Sequence, residues 1–294
     1  MRRLLLPFLL SALAGCTPLS AFNALVPKDE GASLVARDQA YAPGDRRRLD
    51  IYAPTTTGQA PRPVIVFFYG GSWKGGSKEG YGFVGRAFAA QGFVVAVPDY
   101  RLVPKVRFPA FVEDSAAAVK WVRAHIARFG GDPDRIVLAG HSAGAYNAAM
   151  LAVDPQWLGP DRAAVKGWAT LAGPYEFLPL DTRVTKDAFG EADDLAATQP
   201  IRFASADDPP ALLIAGGEDE LVLPSQSTGM AIALVEAGAA AETLVYADVG
   251  HVGLVTALAK PFRGGAPVLR DVAAFVRLVT ETGVGQQSLR SGER

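Results

Sequence analysis

The chain has 294 residues, nearly half of them apolar, and a formal net charge of −1. This balance, without an extended basic face, argues against nucleic acid as a partner. Its three histidines are scattered and Cys16 is its one cysteine, so the sequence offers no metal-ligand cluster and no disulfide. Any chemistry is therefore expected to rest on the protein's own groups, with no metal and no cofactor.

The first sixteen residues have the composition of an export signal. Arg2 and Arg3 precede an apolar stretch over residues 4–13, which is too short to span a bilayer. Residues 13–16 read Leu-Ala-Gly-Cys and resemble the lipobox of bacterial lipoproteins, in which the cysteine is lipidated and becomes the new N-terminus. The resemblance implies export and a lipid anchor on Cys16, on the periplasmic face and at the outer membrane. The alternative is a plain secretory signal with an incidental cysteine.

The segments next to both ends lack patterned apolar residues. Residues 17–33 are predicted to be a tether and residues 284–294 a polar tail, because neither can bury much apolar area. Between them, residues 34–283 are long enough for one large α/β core. Three arginines at residues 46–48 follow a Pro-Gly-Asp turn and are predicted to be a solvated hairpin arm.

The pattern of elements predicts a sheet that opens with a hairpin. Residues 36–53 are typical of two strands joined at 43–45, and apolar strands then alternate with helices. Strands that are apolar throughout favour a mostly parallel sheet covered by helices on both faces. A short cap over the carboxyl edge is predicted at residues 174–210. The later strands are predicted at 64–68, 93–97, 135–139, 167–171, 211–215 and 242–246, and helices at 78–90, 110–129 and 268–279.

Residues 140–144 read Gly-His-Ser-Ala-Gly and directly follow a predicted strand. Two glycines around Ser142 are typical of a nucleophile elbow, a sharp strand-to-helix turn that leaves no room for larger flanking side chains. Average usage produces this pentapeptide by chance in roughly one chain of this length in ten. The strand before it and the alanine-rich segment 143–153 after it supply the required context. Ser142 is therefore predicted to be a nucleophile above the sheet edge.

A serine nucleophile needs a base within hydrogen-bond reach, nearly always histidine. His141 adjoins Ser142 and is expected to diverge around the elbow, while His125 lies on a helix that precedes it. His251 follows the last predicted strand, at the edge where the elbow opens. It is the predicted base, and the alternative is a surface loop histidine.

Two further segments carry motifs beside residues 140–144. A loop at residues 69–73 reads Tyr-Gly-Gly-Ser-Trp and follows a predicted strand. Residues 99–104 read Asp-Tyr-Arg-Leu-Val-Pro and lead to Phe108-Pro109. With these motifs, residues from about 46 to 280 resemble the hormone-sensitive-lipase-like and kynurenine-formamidase-like carboxylesterases, which include feruloyl and acetyl xylan esterases.

The resemblance implies an α/β-hydrolase fold with a serine triad. It also implies an oxyanion hole formed by the backbone N–H groups of Gly71, Ser72 and Ala143. The family loop usually begins with histidine, whereas here it begins with Tyr69. That position buttresses the loop and does not donate to the oxyanion, so we expect the tyrosine hydroxyl to substitute. The alternative is an altered loop geometry with weaker activity.

Other polar and aromatic residues receive lesser roles. Trp73 is predicted to line the substrate pocket, with packing beneath the loop as an equal alternative. Tyr175, after the sixth strand, is a weaker substrate-binding candidate. Asp99, Arg101 and Asp114 are expected to be structural polar partners.

Three carboxylates compete for the acid that orients His251. They lie at residues 218–220, after the predicted strand 211–215. The spacing Gly216-x-x-Asp219-x-x-Val222-x-Pro224 matches the acid loop of the same hydrolases and favours Asp219. Glu218 is the main competitor, and the flanking glutamates are expected to be solvated.

The sequence therefore predicts an exported serine esterase that forms an acyl-enzyme. The absence of a long hydrophobic lid favours small or soluble esters of the short-chain acyl, acetyl or feruloyl type. Two alternatives stay open: a formamide or amide hydrolase, and a lipid-anchored binding module without activity. A peptidase of the prolyl oligopeptidase type normally carries a large additional domain, for which no room is expected. Acyl and alcohol preference depend on cap and loop conformations and stay open. The oligomeric state also stays open.

Overall fold

A computed structural model of the protein describes residues 18–56, 58 and 60–281. These residues form one eight-stranded sheet with the strand order β1-β2-β4-β3-β5-β6-β7-β8. Its strands are β1 (Ala32–Ala40), β2 (Arg48–Pro54), β3 (Arg62–Phe68), β4 (Val94–Pro98), β5 (Gly131–His141), β6 (Val165–Leu171), β7 (Ala211–Gly216) and β8 (Ala241–Tyr246). The helices are α1 (Pro18–Leu25), α2 (Gly82–Ala90), α3 (Ala110–His125), α4 (Ala143–Val153), α5 (Pro155–Leu158), α6 (Arg183–Phe189), α7 (Pro224–Glu236), α8 (His251–Thr256) and α9 (Val268–Thr280). Short 3-10 turns lie at Ile126–Phe129, Gly159–Ala164, Ala196–Thr198, Pro200–Phe203 and Lys260–Phe262.

The sheet has the predicted α/β-hydrolase architecture. β1 and β2 form an antiparallel hairpin, and β2 also pairs antiparallel with β4. All other neighbouring strands are parallel. The central strands are buried on both faces because helices cover both sides, which explains their uninterrupted apolar sequences. The predicted fold class is confirmed.

Two predicted helices have different bounds. α2 begins at Gly82 and not at Lys78, because the Lys78 N–H donates to the Asp99 carboxylate and its ammonium pairs with Asp50. These bonds hold residues 78–81 in a turn. α3 ends at His125 and continues as one 3-10 turn, which Gly130 ends in a left-handed conformation with φ 80°.

The predicted tether over residues 17–33 is wrong for the part that the structure describes. α1 packs on the domain through Phe22, whose ring lies 5.2 Å from that of Phe83 and 5.7 Å from that of Phe262. Asp29 accepts two hydrogen bonds from Arg263, at 2.7 and 2.8 Å. Residues 18–33 therefore belong to the folded body, because contacts with residues remote in sequence supply the burial that the segment itself lacks.

The predicted signal with Cys16 and the predicted tail at 284–294 lie outside the described residues. Among the helices that the structure describes, none is long and apolar enough to cross a membrane.

Candidate active site

The elbow places Ser142 at the carboxyl edge of the sheet. β5 ends at His141 and α4 begins at Ala143, so Ser142 forms the entire turn, with φ 55°. Such a positive φ is rare for a non-glycine residue and is held by its surroundings. A Cβ on Gly140 would lie 2.4 Å from the Gly144 carbonyl oxygen, and one on Gly144 would lie 2.1 Å from that of Phe68. The two glycines are therefore required by close backbone approach.

A hydrogen-bonded relay leads from Ser142 to a buried carboxylate. His251, the first residue of α8, has Nε2 2.9 Å from Ser142 Oγ and Nδ1 2.8 Å from Asp219 Oδ2. The other carboxylate oxygen of Asp219 accepts the N–H groups of Leu221 and Val222, at 2.9 and 2.8 Å. Asp219 is thus fixed in position, and when Nδ1 of His251 donates its proton to Asp219, Nε2 can accept a hydrogen bond from the serine hydroxyl.

Glu218 takes no part in this relay. Its side chain is exposed, whereas Asp219 is 2% exposed and lies against His251. The backbone of residues 216–219 explains the difference, because the Asp219 N–H donates to the Gly216 carbonyl and the Glu218 N–H to that of Val249. This tight turn points only Asp219 inward. The acid preferred from its spacing is the one that the structure brings to the histidine.

The loop opposite the elbow presents backbone N–H groups. Within the described residues, no hydrogen-bond acceptor lies at the N–H groups of Gly71, Ser72 and Ala143. Gly71, Ser72 and Trp73 have φ values of 136°, 54° and 55°, so three successive residues adopt unusual backbone conformations. Ser72, Ala143 and Ser142 line the same cavity. Two of the three residues predicted as oxyanion donors, Ser72 and Ala143, therefore lie beside Ser142, and Gly71 directly precedes Ser72 in the loop.

Tyr69 supports this loop from beneath. Its side chain is fully buried, and its ring stacks on that of Tyr100 with 4.7 Å between centroids. Its hydroxyl donates to Asp99 Oδ1 at 2.8 Å and accepts from an Arg46 guanidinium nitrogen at 2.6 Å. The Gly70 N–H donates to the Tyr81 hydroxyl at 3.1 Å. Tyr69 thus ties the loop to two charged groups, as expected for a buttress.

Burial shifts the pKa values of Tyr69 and Asp99, the two groups joined beneath the loop. Burial, followed by the nearby Asp99 carboxylate, raises the pKa of Tyr69 well above its usual value. Burial also raises the pKa of Asp99, against the opposing effect of the Arg46 guanidinium. The phenol therefore keeps its proton and remains a donor to Asp99.

The predicted solvated arm at residues 46–48 is wrong for two of its three arginines. Arg46 also donates to the backbone carbonyls of Tyr100 and Gly76, at 3.0 and 2.8 Å. Arg47 pairs with Asp114 at 3.0 Å, and only Arg48 is exposed. The hairpin turn bends the first two side chains onto the domain, where buried carboxylates and carbonyl groups attract them.

Asp114 is a structural partner, as predicted. The Arg101 guanidinium donates to both of its oxygens, at 2.7 and 2.9 Å. The Arg101 N–H also donates to Asp114, at 2.9 Å. These bonds fasten the segment after β4 to helix α3.

A cavity of about 490 Å³ opens beside Ser142. Its lining comes from Ser72 and Trp73 of the loop, from residues 174, 176–179, 181, 182, 184 and 185 of the cap region, and from residues 220–223 and 226 after Asp219. Trp73 reaches this cavity but is only 3% exposed. Its ring packs on Phe189, with 4.9 Å between centroids, and its Nε1 donates to Asn147 at 3.2 Å. Both interpretations of Trp73 therefore apply, with packing as the larger part.

Tyr175 does not line the cavity, which corrects its prediction as a substrate-binding residue. Its side chain is fully buried, and its hydroxyl lies 2.6 Å from that of Thr170. The Gln226 side-chain oxygen accepts the N–H groups of Tyr175 and Glu176, at 2.7 and 2.8 Å. Gln226 thereby fastens the cavity wall to α7. No local signal in the sequence indicates a contact across 50 residues.

His141 does not diverge from the site as expected. Its ring centroid lies 4.8 Å from that of His251, and its Nε2 lies 3.0 Å from the His251 carbonyl oxygen. Burial, followed by the nearby His251, lowers the pKa of His141 to about 3. His141 is therefore a neutral neighbour of the base.

Known proteins share this fold and sequence pattern. Residues 111–279 match the prolyl oligopeptidase family, and residues 49–165 match the BD-FAE family. A probable isoprenylcysteine alpha-carbonyl methylesterase of Arabidopsis thaliana is 31% identical over 82% of this chain and 56% of its own length. An esterase of Mycobacterium tuberculosis, LipQ, is 31% identical over 72% of this chain and 55% of its own. The chain spans 56–65% of the length of the first five plant relatives.

Solved structures agree on the architecture. Esterase B from Lactobacillus rhamnosis, inhibited by a tributyrin phosphonate, superposes with a TM-score of 0.79 at 19% identity and covers 94% of each chain. A truncated carbohydrate esterase from gut microbiota superposes with a TM-score of 0.75 at 22% identity, over 87% of this chain and 99% of that one. At such identities these similarities show the fold alone.

Proposed function

Because the chain belongs to the prolyl oligopeptidase family, with an α/β-hydrolase fold, we propose that it is a serine carboxylic-ester hydrolase. The observation that carries the proposal is the relay from Ser142 through His251 to Asp219, with both distances below 3 Å. The relay faces a cavity of about 490 Å³ lined by the residues of the oxyanion loop. Relatives of this chain are named as esterases, which supports esters as its substrates.

Acylation follows from this geometry. His251 Nε2 removes the proton of Ser142 as Oγ attacks the ester carbonyl carbon, and the carbonyl electron pair moves onto its oxygen. The N–H groups of Gly71, Ser72 and Ala143 stabilise this oxyanion. Each of them lowers the activation free energy by about 3 kcal/mol. When the tetrahedral intermediate collapses, the C–O bond to the alcohol breaks. The departing alkoxide takes its proton from His251.

Deacylation repeats these steps with water. His251 Nε2 removes a proton from the water that attacks the acyl-enzyme, and later returns it to Ser142 Oγ as the acid product leaves. Asp219 orients the ring through Nδ1 and stabilises the imidazolium in both stages. Its buried carboxylate, fixed by two backbone N–H groups, needs no rearrangement between them.

The cavity favours small or soluble esters with an apolar group. Leu178, Val184 and Leu221 are apolar residues of its lining, and Leu178 and Leu221 are also exposed to solvent. A buried apolar group gains about 25 cal/mol for each Å² removed from water. Short acyl, acetyl and feruloyl esters are the substrates that we propose. The methyl ester of prenylated cysteine, after the plant relatives' names, belongs in the same substrate panel.

Amide hydrolysis is the second candidate, favoured by the family match and by the resemblance to kynurenine formamidases. Turnover of p-nitrophenyl acetate, p-nitrophenyl butyrate, formyl-kynurenine and a prolyl p-nitroanilide would separate the two. We expect the p-nitrophenyl esters to have the higher kcat/KM, with all turnover lost in Ser142→Ala. Preference for either amide would contradict the proposal. A wild type that turns over none of them and does not react with a fluorophosphonate would favour the binding module.

We also propose export and a lipid anchor on Cys16. The support is the sequence at residues 13–16, together with the position of α1, which begins at Pro18 and packs on the domain. Such an anchor would hold the domain close to the membrane surface. Metabolic labelling with a radioactive fatty acid should mark the wild type and not Cys16→Ser. An unlabelled wild type would contradict the anchor.

A further inference from the structure

His141 contacts the loop that carries the base. Its Nε2 lies 3.0 Å from the carbonyl oxygen of His251, which can only accept a hydrogen bond. Nε2 therefore carries the ring proton and donates it, which fixes the tautomer of His141. The bond is made to the backbone of the residue whose imidazole must point at Ser142.

The opposite nitrogen of His141 faces the oxyanion loop. Nδ1 is buried and has no hydrogen-bond partner among the described residues. A Cβ on Gly70 would lie 2.8 Å from this atom and 3.1 Å from the Ser142 Cβ. The His141 ring thus fills the space where the elbow, the oxyanion loop and the base loop meet.

Packing alone does not account for a histidine here. A buried polar atom without a partner destabilises the fold, and a leucine of similar size would avoid that cost. What histidine supplies in exchange is the single donor bond to the His251 carbonyl. A neutral ring is also the form that adds no like charge when His251 becomes an imidazolium.

We propose that His141 is a positioning residue for the triad. Its donor bond to the His251 carbonyl sets the start of α8 and so aims His251 Nε2 at Ser142 Oγ, while its ring supports the oxyanion loop at Gly70. The catalytic consequence rests on the proposed serine chemistry. His141 itself touches no reacting atom.

Two variants separate positioning from packing. His141→Leu removes the donor at similar volume, whereas His141→Gln places an amide N–H where Nε2 lies. Because displacement of a catalytic group by about 1 Å can cost 10²-fold, we expect His141→Leu to lower kcat by about 10- to 100-fold with KM within about twofold. Fluorophosphonate labelling of Ser142 should slow by the same factor. His141→Gln should recover most of both rates.

Three results would overturn the proposal. They are equal rates in wild type and His141→Leu, equal losses in the two variants, or a loss explained by the unfolded fraction in a thermal melt. In wild type labelled with ¹⁵N-histidine, the spectrum should show His141 as the neutral Nε2–H tautomer. That measurement needs no substrate. A wild type without ester turnover would therefore contradict the proposed function, while the tautomer of His141 would still be tested by the spectrum. A different tautomer would contradict the bond itself.

Discussion

The two halves of the candidate active site are built differently. Ser142, Asp219 and His251 each follow a strand, and parallel strands deliver their carboxyl ends to one edge of the sheet. The oxyanion loop instead keeps its shape through remote side chains, of which Arg46 and Asp99 meet at the Tyr69 hydroxyl. Topology brings the triad residues to one edge of the sheet, whereas the shape of the loop depends on contacts between segments far apart in sequence.

Removal of the nucleophile should have the largest effect. We expect Ser142→Ala to lower kcat for p-nitrophenyl butyrate by about 10⁴- to 10⁶-fold, because no other group attacks the carbonyl carbon. Ser72→Ala is the matched control, since Ser72 lines the same cavity but offers its backbone N–H. Its kcat should stay within about tenfold of wild type, below the cost of one lost oxyanion donor. Equal losses in the two variants would contradict the assignment of Ser142.

The acid should come next. Asp219→Asn should lower kcat by about 10⁴-fold, because the amide favours the wrong His251 tautomer. Glu218→Gln, one residue away and exposed, should leave kcat nearly unchanged. Steady-state kinetics of both variants test this difference. A larger loss in Glu218→Gln would place the acid elsewhere.

Loss of the remote support should have an intermediate effect. Arg46→Gln removes the guanidinium that holds Tyr69 and the Gly76 carbonyl, so the oxyanion donors should shift from their positions. We expect kcat to fall by about 10- to 100-fold. Complete removal of one oxyanion donor lowers kcat by up to about 10³-fold. Arg48→Gln is the control, because Arg48 is exposed. If both variants match wild type, the loop does not depend on this network.

The smallest effect concerns stability in acid. The pKa of His141 is lowered to about 3 by burial, below its usual value of 6.5, so the unfolded chain binds this proton more readily. The free energy of unfolding should therefore fall as the pH drops from about 6.5 to 3, through this group. Urea unfolding at several pH values should show a flatter dependence in His141→Leu. Identical slopes would mean that His141 is not buried in its neutral form.

The features that could be predicted from the sequence depend on local patterns and on the order of elements along the chain. Apolar strands, the glycine pair around Ser142 and the order of the chain led to the sheet and to the three triad positions. The burial of Tyr175, the inward turn of Arg46 and the docking of Phe22 depend on partners between 5 and 240 residues away. The residues adjacent in sequence to Tyr175, Arg46 and Phe22 do not indicate which partners these side chains contact. The position of His141 beside His251 likewise appears only once two loops meet.

Mass spectrometry after fluorophosphonate treatment directly tests whether Ser142 is the nucleophile. We expect one adduct on wild type, located on the peptide that contains Ser142, and none on Ser142→Ala. Asp219→Asn should form the same adduct more slowly, because its histidine is poorly oriented. A wild type that forms no adduct, or forms it on another residue, would show that Ser142 is not the nucleophile.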